Sequence, residues 1–503
     1  MASAAPPSRL TGCDAAGSIR LDEPSVAAAA YRKVAGRFLI TNDVGHHALL
    51  SEKDFRAYLE GRVEKDSALW SELQAKSLIR THLDFDKLAR EYRRRYSFLF
   101  HAAPLHIFVV TQRCNHKCLY CHSSVVGPDA LEKDMTVETA RKAVDFIFQC
   151  PSRDIIIEFQ GGEPTLNWPV VKFATRYARL KNETAKRNLF ITMVSNFSTM
   201  DDEKFDFILK NKIGICTSLD GPRPLHDKNR IYTGGPSHDL TEKWLRRFQE
   251  AATVNDDDRA RHFQPGALLT TTRYTLQYPR EIVDEYVRLG LPGLFARQLS
   301  PIGFAKRSWN VIGYSVDEFM SFYRALLDYV IELNEKGTPF FERAALIALT
   351  KILRRTEPGY VDLRSPSGAA LGVMAYDYDG SVYTGDEARM LAAEGDGFFK
   401  VGHVASTTYK DAIDHPVTRA AAAATLLENQ PLCSQCVYKP YCGLDSVLNR
   451  QMQRSLWGHM PTNDRCRLYM GLFDVIFEKL ADPKARAVFE SWLGPESAGT
   501  EGA

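Results

Sequence analysis

The sequence predicts an α/β fold, and two observations predict it. Strand-like apolar runs near 104–111, 155–160, 189–195, 213–219, 266–272 and 294–299 alternate with amphipathic helix-like stretches near 136–149, 168–181, 201–211, 240–253 and 279–289. Such alternation implies parallel strands joined by right-handed crossovers. The residues best suited to chemistry also fall just past the carboxyl ends of those strands, where parallel α/β folds place their sites.

Taken in order, each element has its own signal. Residues 1–34 are rich in Ala, Pro and Ser and are expected to be loose. From Gly36, the runs FLITN and HHALL read as a hairpin. Ser51 reads as the N-cap of a helix from Glu52, and a second amphipathic helix covers about Ser67–Lys76. This is the size and order of a small winged-helix-like module over 35–95. The first barrel strand, PLHIFVV over Pro104–Val110, is a short apolar run rich in β-branched and aromatic residues. Beyond the sixth strand, 316–335 and 341–355 are helical by periodicity, with Gly337 and Pro339 between them. That assigns 96–310 to the α/β unit, 311–365 to a helical linker, 366–470 to a third unit and 471–503 to a closing helix and tail.

The bulk numbers exclude more than they assign. A net charge of +2, with 25% charged and 45% hydrophobic residues, is ordinary for a globular chain and gives no field argument for nucleic acid or a membrane surface. No apolar run reaches membrane-spanning length, and the first residues lack a signal-peptide h-region, so a cytoplasmic enzyme is expected. Seven of the ten cysteines fall into two motif-like groups, a pattern that favours metal in a reducing compartment over disulfides.

The first group is Cys114, Cys118 and Cys121, in TQRCNHKCLYCH just past the first strand. Three thiolates on a tight loop bind three irons of a [4Fe–4S] cube and leave the fourth open. Zinc, with His116 or His122 as nitrogen ligands, and bare structural thiols are the alternatives. After the second strand comes Gly161-Gly162-Glu163-Pro164, glycines that permit close backbone approach beside a carboxylate suited to an ammonium. The third strand ends in Ser195-Asn196. The fourth gives Ser218-Leu219-Asp220-Gly221-Pro222 and then Arg230. Hydroxyl and amide groups suit a ribose, and a guanidinium suits a carboxylate. Thr270–Thr272 read as ordinary strand residues. Arg297 lies on the sixth strand and points into or out of the mouth in a register the sequence leaves open, with a substrate contact and a salt bridge as its two readings.

CNHKCLYC, followed by GGEP and SLDGP with HD and Arg230, resembles the signature of the radical S-adenosylmethionine (SAM) superfamily. The resemblance implies an open (β/α)₆ partial TIM-type barrel, with SAM chelating the open iron and an electron cleaving it to a 5′-deoxyadenosyl radical. It further implies Tyr120 at the aromatic position beside the cluster, Gly161, Gly162, Glu163 and Pro164 at the methionine amine, Ser218 at the ribose and Arg230 at the methionine carboxylate. Asn196, with Ser195, is a further contact.

The second group is Cys433, Cys436, Cys442 and Cys466. Four thiolates close either a [4Fe–4S] or a zinc site. The stretch resembles the SPASM, or twitch-like, extension of peptide-modifying radical SAM enzymes, which carries two auxiliary clusters. Here the positions matching three first-cluster cysteines, near Ser367, at Gly385 and at Ser446, hold none, so two [4Fe–4S] clusters in total are expected. Asp386, next to a lost ligand, is a candidate for proton removal; a solvated turn at Asp386–Glu387 is the alternative.

EFQGGEPTLNW, YVDLRSPSG and YDYDGSVYTGDEARML extend the likeness to the B-component maturases of His-Xaa-Ser peptide systems. That likeness implies hydrogen abstraction from a ribosomally made precursor peptide, carbon–carbon crosslinking, and an electron donor such as flavodoxin or ferredoxin. The front module loosely resembles leader-peptide recognition domains; a structural cap on the barrel is its alternative. A Ser/Cys oxidase of the sulfatase-maturing type, a peptide epimerase or hydroxylase, and a zinc-stabilised binding protein are the rival functions.

Overall fold

A computed structural model describes residues 12–13, 16–18, 26–254 and 264–494. Its centre is a nine-stranded sheet. The barrel strands are β1 (Leu105–Thr111), β2 (Asp154–Gly161), β3 (Asn188–Val194), β4 (Ile213–Ser218), β5 (Gly266–Thr270) and β6 (Ala296–Arg297). A later hairpin and its neighbour add β7 (Val373–Tyr376), β8 (Ser381–Tyr383) and β9 (Lys400–His403). The spatial order is β6-β5-β4-β3-β2-β1-β7-β8-β9. All pairings from β6 to β7 are parallel, and β7-β8-β9 is antiparallel.

The expected strand–helix alternation is therefore present in register. β1 is buried along six of its seven residues, as a parallel strand covered on both faces must be. The covering helices start where capping chemistry allows. Thr136 caps Val137–Ile147 and Asp201 caps Asp202–Lys210, while Trp168–Ala185 and Pro279–Arg288 carry proline in their first turns. Ile157, Phe159, Ile191, Met193 and Ile215 join Val144, Val171 and Ile282 in one core.

Three boundaries differ from expectation. The sixth strand is broken at Phe295: Gly293–Leu294 pairs with Phe341–Glu342, and only Ala296–Arg297 joins β5. The fully buried Glu342 carboxylate holds the break, accepting from the Ala296 N–H, the Ala345 N–H and the Tyr323 hydroxyl. The 311–365 stretch is more than a linker. Its helix Val316–Glu335 buries Phe319, Phe322, Tyr323, Leu326 and Leu327 in the barrel core. The 366–470 stretch does not fold apart either, because β7 extends the barrel sheet with Val373 opposite Leu105 and Tyr376 opposite Phe108.

The front of the chain is a five-stranded antiparallel meander whose last three strands are Ala30–Val34, Arg37–Thr41 and His47–Leu50. The expected hairpin and the Ser51-capped and Ser67-capped helices are all part of it. Residues 30–34 are a strand instead of loose chain. Ala35 and Gly36, both at positive φ, turn the chain tightly back onto Arg37–Thr41; residues 1–11, 14–15 and 19–25 of the expected loose segment lie outside the described residues. Within Arg37–Thr41, Leu39 faces the main core and Ile40 faces a separate core with Phe55, Tyr58, Trp70 and Leu73. The module docks on the C-terminal cysteine segment. Arg32 pairs with Asp474 through two bonds of 3.1 Å, and Tyr441 donates to the Gly45 carbonyl at 2.9 Å. Among the described residues, no helix is long and apolar enough to cross a membrane.

Candidate active site

The three cysteines of the first group hang on backbone ladders. His116–Cys118 pairs antiparallel with Arg230–Tyr232, setting Arg230 opposite Cys118. The Cys114 N–H donates to Val126 and the Leu119 N–H to Asn229. The Cys121 carbonyl accepts from Phe304, and a Cβ at Gly303 would stand 2.8 Å from that oxygen, so only glycine fits there.

Gly161 and Gly162 do allow a close approach, but the neighbour is the cysteine loop itself. A Cβ at Gly161 would lie 2.0 Å from the Thr111 carbonyl oxygen, and one at Gly162 2.0 Å from that of Arg113. The Gly162 and Glu163 N–H groups donate to those same carbonyls. Glu163 is fully buried. Its carboxylate accepts from the Thr165 N–H and hydroxyl, the Ser195 hydroxyl at 2.8 Å and the Asn196 N–H at 2.7 Å. The side chain expected to face an ammonium thus binds the end of β3 to the GGEP turn, with Pro164 opening the short helix that follows. Asn196 in turn reaches the cysteine loop, its amide 3.7 Å from the Cys114 sulfur and 3.3 Å from the Asn115 oxygen.

Tyr120 is the pivot of the mouth. Its buried hydroxyl accepts from the Arg230 guanidinium at 2.7 Å and donates to the Asp220 carboxylate at 3.0 Å. Burial raises the Asp220 carboxyl to about 6 against the pull of Arg230. The second Asp220 oxygen, Arg230 Nε, Asn229 Nδ2, Thr217 Oγ1 and Thr271 Oγ1 are all buried without a partner. The idle atoms of Asp220 and Arg230, two side chains that Tyr120 joins, are of the kind a polar ligand completes. An open groove of about 680 Å³ runs beside Cys114 and Cys118, between Val125–Pro128 and Phe304–Ser308. Ser218 ends β4 level with Leu268.

The sulfurs discriminate between metals. Among the described residues, no three cysteine sulfurs lie within 4.8 Å of one another. Tetrahedral zinc at about 2.3 Å per bond would draw its sulfurs to roughly 3.8 Å apart. His116 is also spent: its ring stacks on Tyr232 and its Nε2 meets the Ser237 hydroxyl at 2.8 Å. Burial pushes the Cys118 thiol up to about 11 and raises Cys114 and Cys121 as well, so an electropositive centre is needed to hold three thiolates there. The residues present fit a cube with one open corner.

Residues 108–255 match the family model of the radical SAM superfamily. The chain carries a radical SAM domain. A curated relative, an uncharacterised protein of Methanocaldococcus jannaschii, is 25% identical over 228 residues, 45% of this chain and 73% of the relative. The cysteine-type anaerobic sulfatase-maturating enzyme of Clostridium perfringens is 28% identical over 134 residues, and the match spans 25% of this chain and 36% of that enzyme. The solved structure of native anSMEcpe with bound AdoMet and Cp18Cys peptide superposes with a TM-score of 0.62 at 19% identity, covering 76% of this chain and 99% of that one. At that identity the likeness speaks for the fold.

The second cysteine group also converges. Cys433, Cys442 and Cys466 pack on Leu427, Leu444 and Met460, and Cys436 lies within electrostatic reach of Cys442 and Cys466. Asn463 caps the helix Asp464–Leu480, putting Cys466 in its first turn, where the helix dipole favours a thiolate. The positions Ser367, Gly385 and Ser446 hold no thiol. Asp386 opens the helix Asp386–Ala393 and is no solvated turn: its side chain is 14% exposed and ion-paired at 2.7 Å to Arg389, which is 1% exposed. Arg389 continues to the Ser123 hydroxyl beside Cys121.

Several site residues escaped sequence reasoning. Arg113 makes a bidentate pair with Asp134 and donates to the Pro128 and Leu166 carbonyls, bracing the cysteine loop. Asp220, quoted only as part of a strand-end motif, meets the Tyr120 hydroxyl, and Glu158 sits inside the barrel with Gln160 and Thr192. Period-two alternation along β2 is the one signal that could have shown Glu158 pointing inward.

Proposed function

We propose that this radical SAM enzyme is a peptide maturase. It abstracts a hydrogen from a side-chain carbon of a ribosomally made precursor peptide and joins that carbon to a nearby residue in a cyclophane-type crosslink. The observation that carries the reading is the pairing of two unlike cysteine sites in one chain, an open three-thiol mouth and a closed four-thiol site. The peptide bound in the anSMEcpe structure supports a peptide substrate. When bound, SAM on the first [4Fe–4S] cluster supplies a 5′-deoxyadenosyl radical, and a second cluster on Cys433, Cys436, Cys442 and Cys466 supplies an electron acceptor.

The chain's own residues do the positioning. Arg230 takes the methionine carboxylate, with Tyr120 and Asp220 fixing the guanidinium. Gly161, Gly162, Glu163 and Pro164 form the methionine end of the pocket, and Glu163 acts by holding Ser195 and Asn196 in place. Ser218 lies at the ribose. Asp386, ion-paired to Arg389 and within electrostatic reach of Glu158 and Arg297, is the candidate for proton removal. The front module takes part of the precursor, and a flavodoxin or ferredoxin supplies electrons in the cytoplasm.

The likeness to the sulfatase-maturating enzyme favours a second reading, oxidation of a Ser or Cys side chain to an aldehyde. Mass spectrometry of a coexpressed precursor separates them. Loss of two hydrogens with no hydrazide-reactive carbonyl supports the crosslink. A captured aldehyde means oxidation, an unchanged mass with a D-residue means epimerisation, and added oxygen means hydroxylation; each of these overturns the crosslink.

A further inference from the structure

Behind the mouth lies a second, smaller cavity of about 30 Å³. It is lined by Asp362, Ser367, Thr384, Glu387 and Asp445, with apolar Val373, Ala388 and Leu444 filling the rest. Thr384 is fully buried and its hydroxyl has no partner; the same holds for Ser446, next in the chain to Asp445. Three carboxylates are gathered here with few cations. Arg465 lies 3.5 Å from Asp362, and Arg297 acts on Asp362, Glu387 and Asp386 together.

A dehydrated metal cage does not fit, because among the described residues these carboxylates do not draw within 4.8 Å of one another. Water does fit. A water needs a polar site with two to four partners and about 10–15 Å³, so there is room for about two.

We propose that this cavity is an internal water site in which Glu387 stores a proton behind the barrel mouth. The first two residues of the helix Asp386–Ala393 divide the work. Asp386 turns to Arg389, while Glu387 lines the cavity. Burial, then Asp362, Asp445 and Asp386, push the Glu387 carboxyl up to about 8 against the pull of Arg297. Near neutral pH Glu387 is therefore uncharged, and Arg297 serves Glu158 and Asp386 on the barrel side. Above about pH 8 Glu387 ionises and competes for Arg297, so the charge at the mouth becomes pH-dependent. The proposal stands on the cavity and its lining, whether or not the substrate is a peptide.

Three measurements on the anaerobically purified full chain test it. In infrared spectra a protonated-carboxyl band is expected at pH 7, shifting in D₂O, fading above pH 8 and absent from Glu387→Gln. A high-resolution crystal structure is expected to show one or two waters bonded to Thr384 Oγ1 and Glu387, lost in Thr384→Val. A dry cavity, a metal ion in it, or an ionised Glu387 at pH 7 would overturn the proposal. Should Glu387→Gln fail to fold, the wild-type waters and Thr384→Val still decide it. Stability gives the sign: a carboxyl raised from 4.5 to about 8 binds its proton more tightly in the folded state. Its contribution is full below about pH 4.5 and lost as pH rises to about 8. The thermal midpoint of the wild type should fall across that window more steeply than that of Glu387→Gln.

Discussion

The two cysteine sites of this chain are built on opposite plans. Cys114, Cys118 and Cys121 sit at the mouth of the barrel near polar atoms with no partner on Asp220 and Arg230, which Tyr120 bridges. Cys433, Cys436, Cys442 and Cys466 sit against Leu427, Leu444 and Met460, with a capped helix supplying one thiol and Arg32 of the front meander within electrostatic reach. One surround opens on a groove, and the other packs on apolar side chains. Sulfur count alone suggests this contrast; the Arg230–Tyr120–Asp220 chain of hydrogen bonds beside the first site and the apolar packing of the second give it physical content.

The contrast can be broken most directly at the thiols. Cys118→Ala should reduce SAM cleavage to background, read as 5′-deoxyadenosine, whereas Cys436→Ala should keep cleavage and lose modified product. Equal loss of both in the two variants would give the second site a folding role and end the distinction. Iron content comes next. Anaerobic reconstitution should load about eight irons per chain, and about four in Cys442→Ala. A wild-type value near four would remove the second cluster.

A subtler change sharpens the mouth. Tyr120→Phe deletes the hydroxyl between Arg230 and Asp220, a charge-assisted bond whose loss costs about 1–3 kcal/mol. SAM binding should weaken roughly 5- to 150-fold, measured by equilibrium dialysis, with iron content unchanged. The smallest effect lies outside both sites. Ser51→Ala removes the helix cap of the front module and should cost about 1 kcal/mol of stability while leaving SAM binding alone.

The strands of the barrel were legible because apolar runs bounded by capped helices leave few other solutions. β1 to β5 and their helices fall within a few residues of expectation. The sixth strand did not, because its break depends on Glu342, which reaches it from beyond a twenty-residue helix. Likewise β7 to β9 read as a separate unit, since nothing local announces that Val373–Tyr376 will pair with β1 more than 260 residues upstream.

What the sequence by itself determined is the chemistry available: seven thiols in two spacings, a glycine turn before Glu163, and Arg230 in reach of a strand end. Spacing along one loop is a local property, and a local property survives any packing around it. The tertiary structure alone decided which groups those residues face. It turned Glu163 inward to hold Ser195 and Asn196, bridged Arg230 to Asp220 through Tyr120, and sent adjacent Asp386 and Glu387 to different partners. Burial and neighbouring charge fix the role of a buried polar group, and both arise from segments far apart in the chain.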